Sequence, residues 1–228
     1  MQLAIDTSTV YAGLALVEGS DIISEFSWRC GLNHTIEMTP TLNILLKKAH
    51  ADIDQVECIF VARGPGSFNG LRVGVSAAKG LAFSLGIPII GISTLESMAY
   101  QFAVSGLPVC SIQNAGREEI AAAIFQQKPR KGWTKLAEEQ ITTPAALNAM
   151  INERTIICGE FNSATAAQLK KLMKSRAVFP SAAGQIRRAA YLAELGQIRR
   201  SAGDFDKLAT LQPLYLRRPP ISERKNPY

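Results

Sequence analysis

Between residues 58 and 85 the chain reads as a strand, a glycine-rich turn and a helix, and the turn constrains the fold more than any other stretch. Cys58-Ile59-Phe60-Val61-Ala62 is a short apolar run bounded by turn signals, the pattern of a buried strand. Arg63-Gly64-Pro65-Gly66-Ser67-Phe68-Asn69-Gly70-Leu71-Arg72 follows, with three glycines and a proline where backbone can approach a neighbour closely. The helix after it has an unusual face. Gly70, Gly74, Ala78 and Ala82 recur every four residues and therefore share one ridge. Such a ridge either packs on the sheet of its own domain or receives a partner's helix, and spacing does not separate the two. The turn is similar to phosphate-binding loops but differs from both common forms. Gly64, Gly66 and Gly70 give G-x-G-x-x-x-G, one residue longer than the dinucleotide fingerprint, and Leu71-Arg72 stand where a Walker loop has Lys-Ser/Thr.

Around this unit the pattern predicts an α/β chain. Leu3 to Ile5, Ala12 to Val17 and Ile22 to Trp28 read as three consecutive strands. A helix is expected from about Thr35 to His50, with Met38, Leu42, Leu45 and Ala49 on one face and Pro40 near its first turn. Ile87 to Ile92 is a fifth strand. Three meandering strands, a helix, a strand, a helix and a strand is the order of a ribonuclease-H-like domain. Near Ser105-Gly106-Leu107-Pro108 the pattern restarts, which divides the chain into units of residues 1–104 and 105–228. The second holds strands at Val109 to Ile112, Ile120 to Gln126 and Thr155 to Gly159, with a polar connection at Gln127 to Gly132. Its helices are expected at Pro144 to Asn152, Ala164 to Lys174 and Ser181 to Leu195, the last with Ile186, Ala189, Ala190 and Ala193 facing in.

Composition narrows the class. With 228 residues, 47% hydrophobic and 19% charged, the chain reads as a soluble globular protein. No apolar run approaches the length that spans a bilayer, and Asp6 interrupts the start before a signal peptide develops. Cys30, Cys58, Cys110 and Cys158 are widely spaced, and the last three sit in apolar runs, as small hydrophobes of a reducing compartment do. A cytoplasmic location is expected. Net charge is +6 but uneven: residues 168–228 carry thirteen lysines and arginines against four acids, residues 1–167 twelve against fifteen. Arg187-Arg188, Arg199-Arg200 and Arg217-Arg218 stand out. The excess suits a polyanion such as RNA, but without interleaved aromatics a solvated helical face is the stronger expectation.

Candidate chemistry is sparse. Asp6-Thr7-Ser8, at the turn between the first two strands, has residue types that hold a metal-bound water and phosphates, and equally those that satisfy turn amides. Asn114-Ala115-Gly116-Arg117 is a poor second phosphate turn. Ser67 lacks the G-x-S-x-G context of a nucleophile, and there are two histidines in the chain, His34 and His50. No catalytic residue, metal site or cofactor is expected.

Segments across the whole chain resemble the TsaB (YeaZ) family. Arg63 to Gly74 is similar to its R-G-P-G-S-F-T-G-L-R-x-G signature, with Asn69 in place of threonine. Asp6-Thr7-Ser8-Thr9, His34-Thr35-Ile36-Glu37 with Pro40 (more loosely), Gly86 to Glu96 and Pro213-Leu214-Tyr215-Leu216-Arg217 match further family segments in order. The resemblance implies two ribonuclease-H-like lobes of the actin, sugar-kinase and Hsp70 superfamily. It implies a catalytically inactive subunit that binds and activates TsaD, with TsaE joining, for threonylcarbamoylation of the adenosine 3′ of the anticodon. TsaD itself holds a metal with H-x-x-x-H; here Met38 stands four residues after His34. The resemblance also implies pairing through the first two helices, with a second copy when alone. That places His34, Glu37, Met38, Leu42, Gly70, Gly74, Ala78 and Ala82 in a partner interface. A tRNA contact through the basic C-terminal region is a further expectation. The competing readings are a stand-alone ATP-dependent kinase or hydrolase of this fold, and a tRNA-binding module.

Overall fold

The computed structural model describes residues 1–217. β1 (Gln2–Asp6), β2 (Tyr11–Glu18) and β3 (Asp21–Arg29) form an antiparallel meander, and α1 (His34–Lys48) leads on to β4 (Cys58–Gly64). α2 (Phe68–Leu85), β5 (Ile89–Ser93) and α3 (Thr94–Tyr100) follow. The first sheet has the order β3-β2-β1-β4-β5, with β4 parallel to β1 and β5 parallel to β4. Period-two alternation divides its core. Leu3, Ile5, Leu14, Leu16, Ile59 and Val61 face α1 and α2, while Ala4, Ala15, Phe60 and Ala62 face the opposite side.

The second sheet, in the order β10-β9-β6-β7-β8, contains β6 (Val109–Gly116), β7 (Glu119–Lys128), β8 (Gly132–Thr142), β9 (Thr155–Glu160) and β10 (Ala177–Val178). α4 (Pro144–Met150) and α5 (Ser163–Met173) cover one face through Leu147, Leu169 and Met173. α3 covers the other through Leu95, Met98 and Ala99. The last helix, α6 (Ala189–Ser201), crosses back to the first sheet, where Ala189, Leu192 and Ala193 pack on Ala4, Ala15 and Phe60. Gly196 permits that approach, since a Cβ there would lie 2.3 Å from the Phe60 ring. α3 and α6 touch, so the two helices lie side by side between the sheets.

Several expectations need correction. A cut at 104/105 separates the strands of the two sheets but not the packing units: α3 covers the second sheet and α6 the first. The expected helix from Ser181 is α6, which starts at Ala189, and Ile186 is 53% exposed rather than inward. The connection at Gln127 to Gly132 is the tip of a hairpin whose second strand, β8, has eleven residues. Pro40 lies inside α1, on its exposed side, and not in the first turn. No described helix is long and apolar enough to cross a membrane.

Candidate functional site

The glycine turn and the Asp6-Thr7-Ser8 turn meet, and each explains the other. The α2 N-terminus is seated on the β1–β2 turn: the Ser67 N–H donates to the Ser8 carbonyl at 2.7 Å, and Thr7 Oγ1 donates to the Gly70 carbonyl at 2.7 Å. A Cβ at Gly66 would lie 2.1 Å from the Ser8 carbonyl oxygen, one at Gly70 2.2 Å from that of Thr7, and one at Gly74 2.2 Å from Thr7 Oγ1. These are distances that real Cβ atoms do not show, so three glycines of the motif are required by a contact inside the chain. Ser67 caps the helix by accepting from the Gly70 N–H. Gly64 takes a φ of 116° under the Leu214 carbonyl, and the Leu214 N–H donates to the Arg63 carbonyl at 2.6 Å. Pro65 is buried, and Arg72 stacks its guanidinium 4.3 Å from the centroid of the Phe68 ring.

Asp6 is likewise engaged internally. Its Oδ1 accepts from the Ser8 N–H (2.9 Å) and Ser8 Oγ (2.6 Å). Its Oδ2 lies 2.8 Å from Nε of Arg187, an ion pair in which the N–H is not aligned on the oxygen. Both side chains are almost fully buried. The remaining Arg187 nitrogens donate to Ser8 Oγ (3.0 Å), Thr9 Oγ1 (2.9 Å) and the Tyr11 carbonyl (2.8 Å), and one lies 3.6 Å from Glu160 on β9. One guanidinium thus ties the first turn of the first sheet to the second sheet. The carboxylate and hydroxyl that a bound metal and phosphate would need are already used, which favours the structural role for Asp6, Thr7 and Ser8. Nothing in the Arg187-Arg188 pair distinguished this buried arginine from a surface one; its partners lie some 180 residues away in sequence.

Beside Arg187 a cleft of ≈ 380 Å³ opens between the sheets, lined by Val10, Gln113, Asn114, Ile141, Glu160 and Leu214 among others. Burial pushes the Glu160 carboxyl above the ordinary carboxylate range, Arg187 and the Thr9 hydroxyl pull it down, and Asp6 adds to the rise. Asn114 accepts from Thr165 Oγ1 at 3.2 Å. Among the described residues there is no cluster of three or more metal-ligating side chains.

The ridge expected at a partner interface faces inward. Gly70, Gly74, Ala78 and Ala82 are buried, as are Met38 and Leu42, all but the two glycines within the core of the first sheet. His34 is 3% exposed, and its Nε2 lies 2.7 Å from the Thr9 carbonyl. Glu37 alone of the set reaches the surface, held below the ordinary carboxylate range by the Trp28 indole N–H, which donates at 2.8 Å. The opposite sides of the same helices carry the apolar surface. Leu32, Ile36 and Ile44 at α1 and Phe83 on α2 are 86%, 73%, 49% and 79% exposed. Exposure at i, i+4, i+8 was the missed signal: Ile36 and Ile44 alternate with the buried set along α1.

Five of the thirteen basic residues in 168–228 are paired within the chain. Arg187 pairs with Asp6, Arg188 with Glu25, Arg199 with Asp204 and Asp206, Arg200 with Glu57, and Arg217 with Glu119. For Arg187, Arg188, Arg200 and Arg217 the acid comes from residues 1–167, and for Arg199 from its own part of the sequence. Arg218 and the residues after it lie outside the described residues.

A family model described as "TsaD: tRNA N6-adenosine threonylcarbamoyltransferase" matches residues 29–207. The chain is 29% identical over 228 residues to the Haemophilus influenzae "tRNA threonylcarbamoyladenosine biosynthesis protein TsaB", covering 94% of this chain and 92% of that one. It is 36% identical over 126 residues to the protein of the same description from Bacillus subtilis, and this match spans 55% of each. The chain belongs to this family, on its TsaB (YeaZ) branch. A Pseudomonas aeruginosa protein "with similarity to peptidase YEAZ" superposes with a TM-score of 0.81 at 23% identity, covering 95% of this chain and 99% of that one. A Thermus thermophilus ROK hexokinase superposes at 0.52 with 10% identity, covering 86% and 99%. These likenesses show that the chain shares its two-lobed fold with those two proteins. On the TsaB branch the signature glycines acquire a physical meaning in this chain: they seat α2 on the first turn.

Proposed function

We propose that this chain is a non-catalytic subunit of the tRNA threonylcarbamoylation machinery, one that binds a TsaD-type transferase and supports its transfer of threonylcarbamoyl to the adenosine 3′ of the anticodon. The chain's part is to present a helical docking surface, and TsaE joins the same assembly. The observation that carries this reading is the solvent face of α1 and α2, two helices on one side of the first sheet. There Ile36 (73% exposed) and Phe83 (79% exposed) stand out, beside Gly80, whose side has open space. Large apolar side chains exposed on adjacent helices suit the centre of a protein interface. The internal use of Asp6 and Ser8 by Arg187 supports a role without nucleotide chemistry and counts against a stand-alone kinase or hydrolase. The ion pairs of Arg187, Arg188, Arg199 and Arg200 weigh against a tRNA-binding module built on those residues.

The test is threonylcarbamoyl transfer by purified TsaD and TsaE with and without this chain, alongside a binding assay with TsaD. Ile36→Arg and Phe83→Glu are expected to weaken TsaD binding at least about tenfold, a hot-spot-sized loss, and to leave the thermal midpoint unchanged. Full activity without the chain, or unaltered binding by both variants, would overturn the assignment. A bulky residue at Gly74 is no test of the interface, because that position is closed by Thr7.

A further inference from the structure

The cleft beside Arg187 has a composition that the docking role does not use. Its volume of ≈ 380 Å³ is that of a small-molecule site. Val10, Ala121, Ile141 and Leu214 give it apolar walls, and Glu160 and Gln113 supply polar groups. Glu160 Oε1 accepts from Thr9 Oγ1 at 2.7 Å, while Oε2 has no hydrogen bond among the described residues and the side chain is 21% exposed. Gln113 is 6% exposed, and its terminal nitrogen is shielded without a partner among the described residues. Since the two ends of a glutamine amide are interchangeable in assignment, this side chain has an unused donor or acceptor at the cleft. A buried amide without a partner is costly, and a ligand that meets it removes that cost.

Charge selects the ligand. Arg187 faces two carboxylates, Asp6 and Glu160, and Arg217 at the rim is paired with Glu119. One negative charge is left over, on the side chain with the free oxygen. A phosphate would be repelled there, whereas a cation would be held.

We propose that this cleft binds a small organic ammonium compound with an apolar body, its ammonium group against Glu160 Oε2, its body between Val10, Ala121, Ile141 and Leu214, and a polar group at Gln113. Burial raises the Glu160 carboxyl by disfavouring its charged form, and a bound ammonium group would draw it down again by favouring that form. The cleft meets α2 only at its N-terminal turn, Pro65 to Ser67, and none of Ile36, Ile44 and Phe83 lines it.

Tyramine and 4-ethylphenol, which share a ring and a hydroxyl and differ in the amine, are the probes. Titration of the full ¹⁵N-labelled chain followed by amide shifts gives both affinity and location. Tyramine is expected to bind at least about tenfold more tightly, with shifts centred on Gln113, Ala121 and Glu160. Glu160→Gln, which keeps the acceptor for Thr9, is expected to abolish the difference. Equal binding of the two probes, shifts centred elsewhere, or undiminished tyramine binding by Glu160→Gln would each overturn the proposal. So would Mg-ATP shifting the same amides at lower concentration. Should the variant not fold, the comparison of the two probes on the unaltered chain still decides.

Discussion

Gly74→Ala adds one methyl group, and the structure assigns it a specific collision. The new Cβ would lie 2.2 Å from Thr7 Oγ1, in a place where Thr7 is 1% exposed and donates to the Gly70 carbonyl at 2.7 Å. Relief requires Thr7 to rotate, breaking that bond, or α2 to move away from β1. Overpacking of this kind costs about 1–3 kcal/mol, and the lost Thr7 hydrogen bond, on a carbonyl that keeps its helical N–H, costs about 0.5–1.5 kcal/mol more. Against this stands the gain of up to about 1 kcal/mol from replacing glycine by alanine in a helix. A net loss of about 1–4 kcal/mol follows, which for a chain of this size lowers the melting midpoint by roughly 2–16 °C. Gly80 on the same helix is the control, since its side has no atom within 4 Å and Gly80→Ala is expected to stabilise by about 0.5–1 kcal/mol. The sharper test is a cycle with Thr7→Ala. Removing the hydroxyl costs its hydrogen bond but opens the space, so the double variant should be little worse than Thr7→Ala alone, with a coupling of about 1–3 kcal/mol. Urea denaturation of the four proteins measures it. Additive losses, or Gly74→Ala behaving like Gly80→Ala, would refute the explanation of the signature glycines.

Arg187→Met removes the cation from a buried pair and leaves Asp6 uncompensated; a loss of about 3–5 kcal/mol is expected by denaturant unfolding, and Asp6→Asn in the same chain should recover part of it. Glu160 gives a pH signature. Its carboxyl is raised in the folded chain, chiefly by burial, so its contribution is fully present below the ordinary carboxylate pKa and is lost as pH rises through the higher folded value. The stability of Glu160→Gln relative to the unaltered chain should therefore improve as pH is taken from below 4.5 toward neutrality, and thermal unfolding over that range checks the sign.

Local pattern carried the first sheet well. Short apolar runs flanked by Gly, Pro and Ser marked β1, β2, β4 and β5, because those strands are buried on both faces and read as continuous apolar runs, while β3, with no buried residue, was read from its place in the meander. β8 escaped because it is an edge strand, where Lys135, Glu138 and Glu139 break the apolar pattern. α3 was legible in principle: Ser93 and Glu96 have capping spacing, and the Ser93 hydroxyl does accept from the Glu96 N–H. The candidate site was harder, since its logic is long-range. The repeat Gly70, Gly74, Ala78, Ala82 was visible, but that it faces Thr7 and not a partner depends on how β1 lies beside β4. The arginines at 187, 188 and 200 looked like surface charge because their acids sit in another part of the sequence, whereas Arg199 has its acids, Asp204 and Asp206, close by.

The return of α6 to the first sheet has a consequence for biosynthesis. β5 ends at Ser93, yet the helix that covers its second face ends at Ser201. At about 5–20 residues per second, a ribosome needs roughly 5–20 s to make the intervening chain. Throughout that interval Ala4, Ala15, Phe60 and Ile90 lack the cover of Ala189, Leu192 and Ala193 on α6, with Tyr100 at the end of α3 packed against the same cluster. The nascent first lobe is then a client for holding chaperones, and a stop codon near residue 104 would release a sticky fragment. A circular permutant opening before α6, with the old ends joined, would supply the missing layer at the start of synthesis.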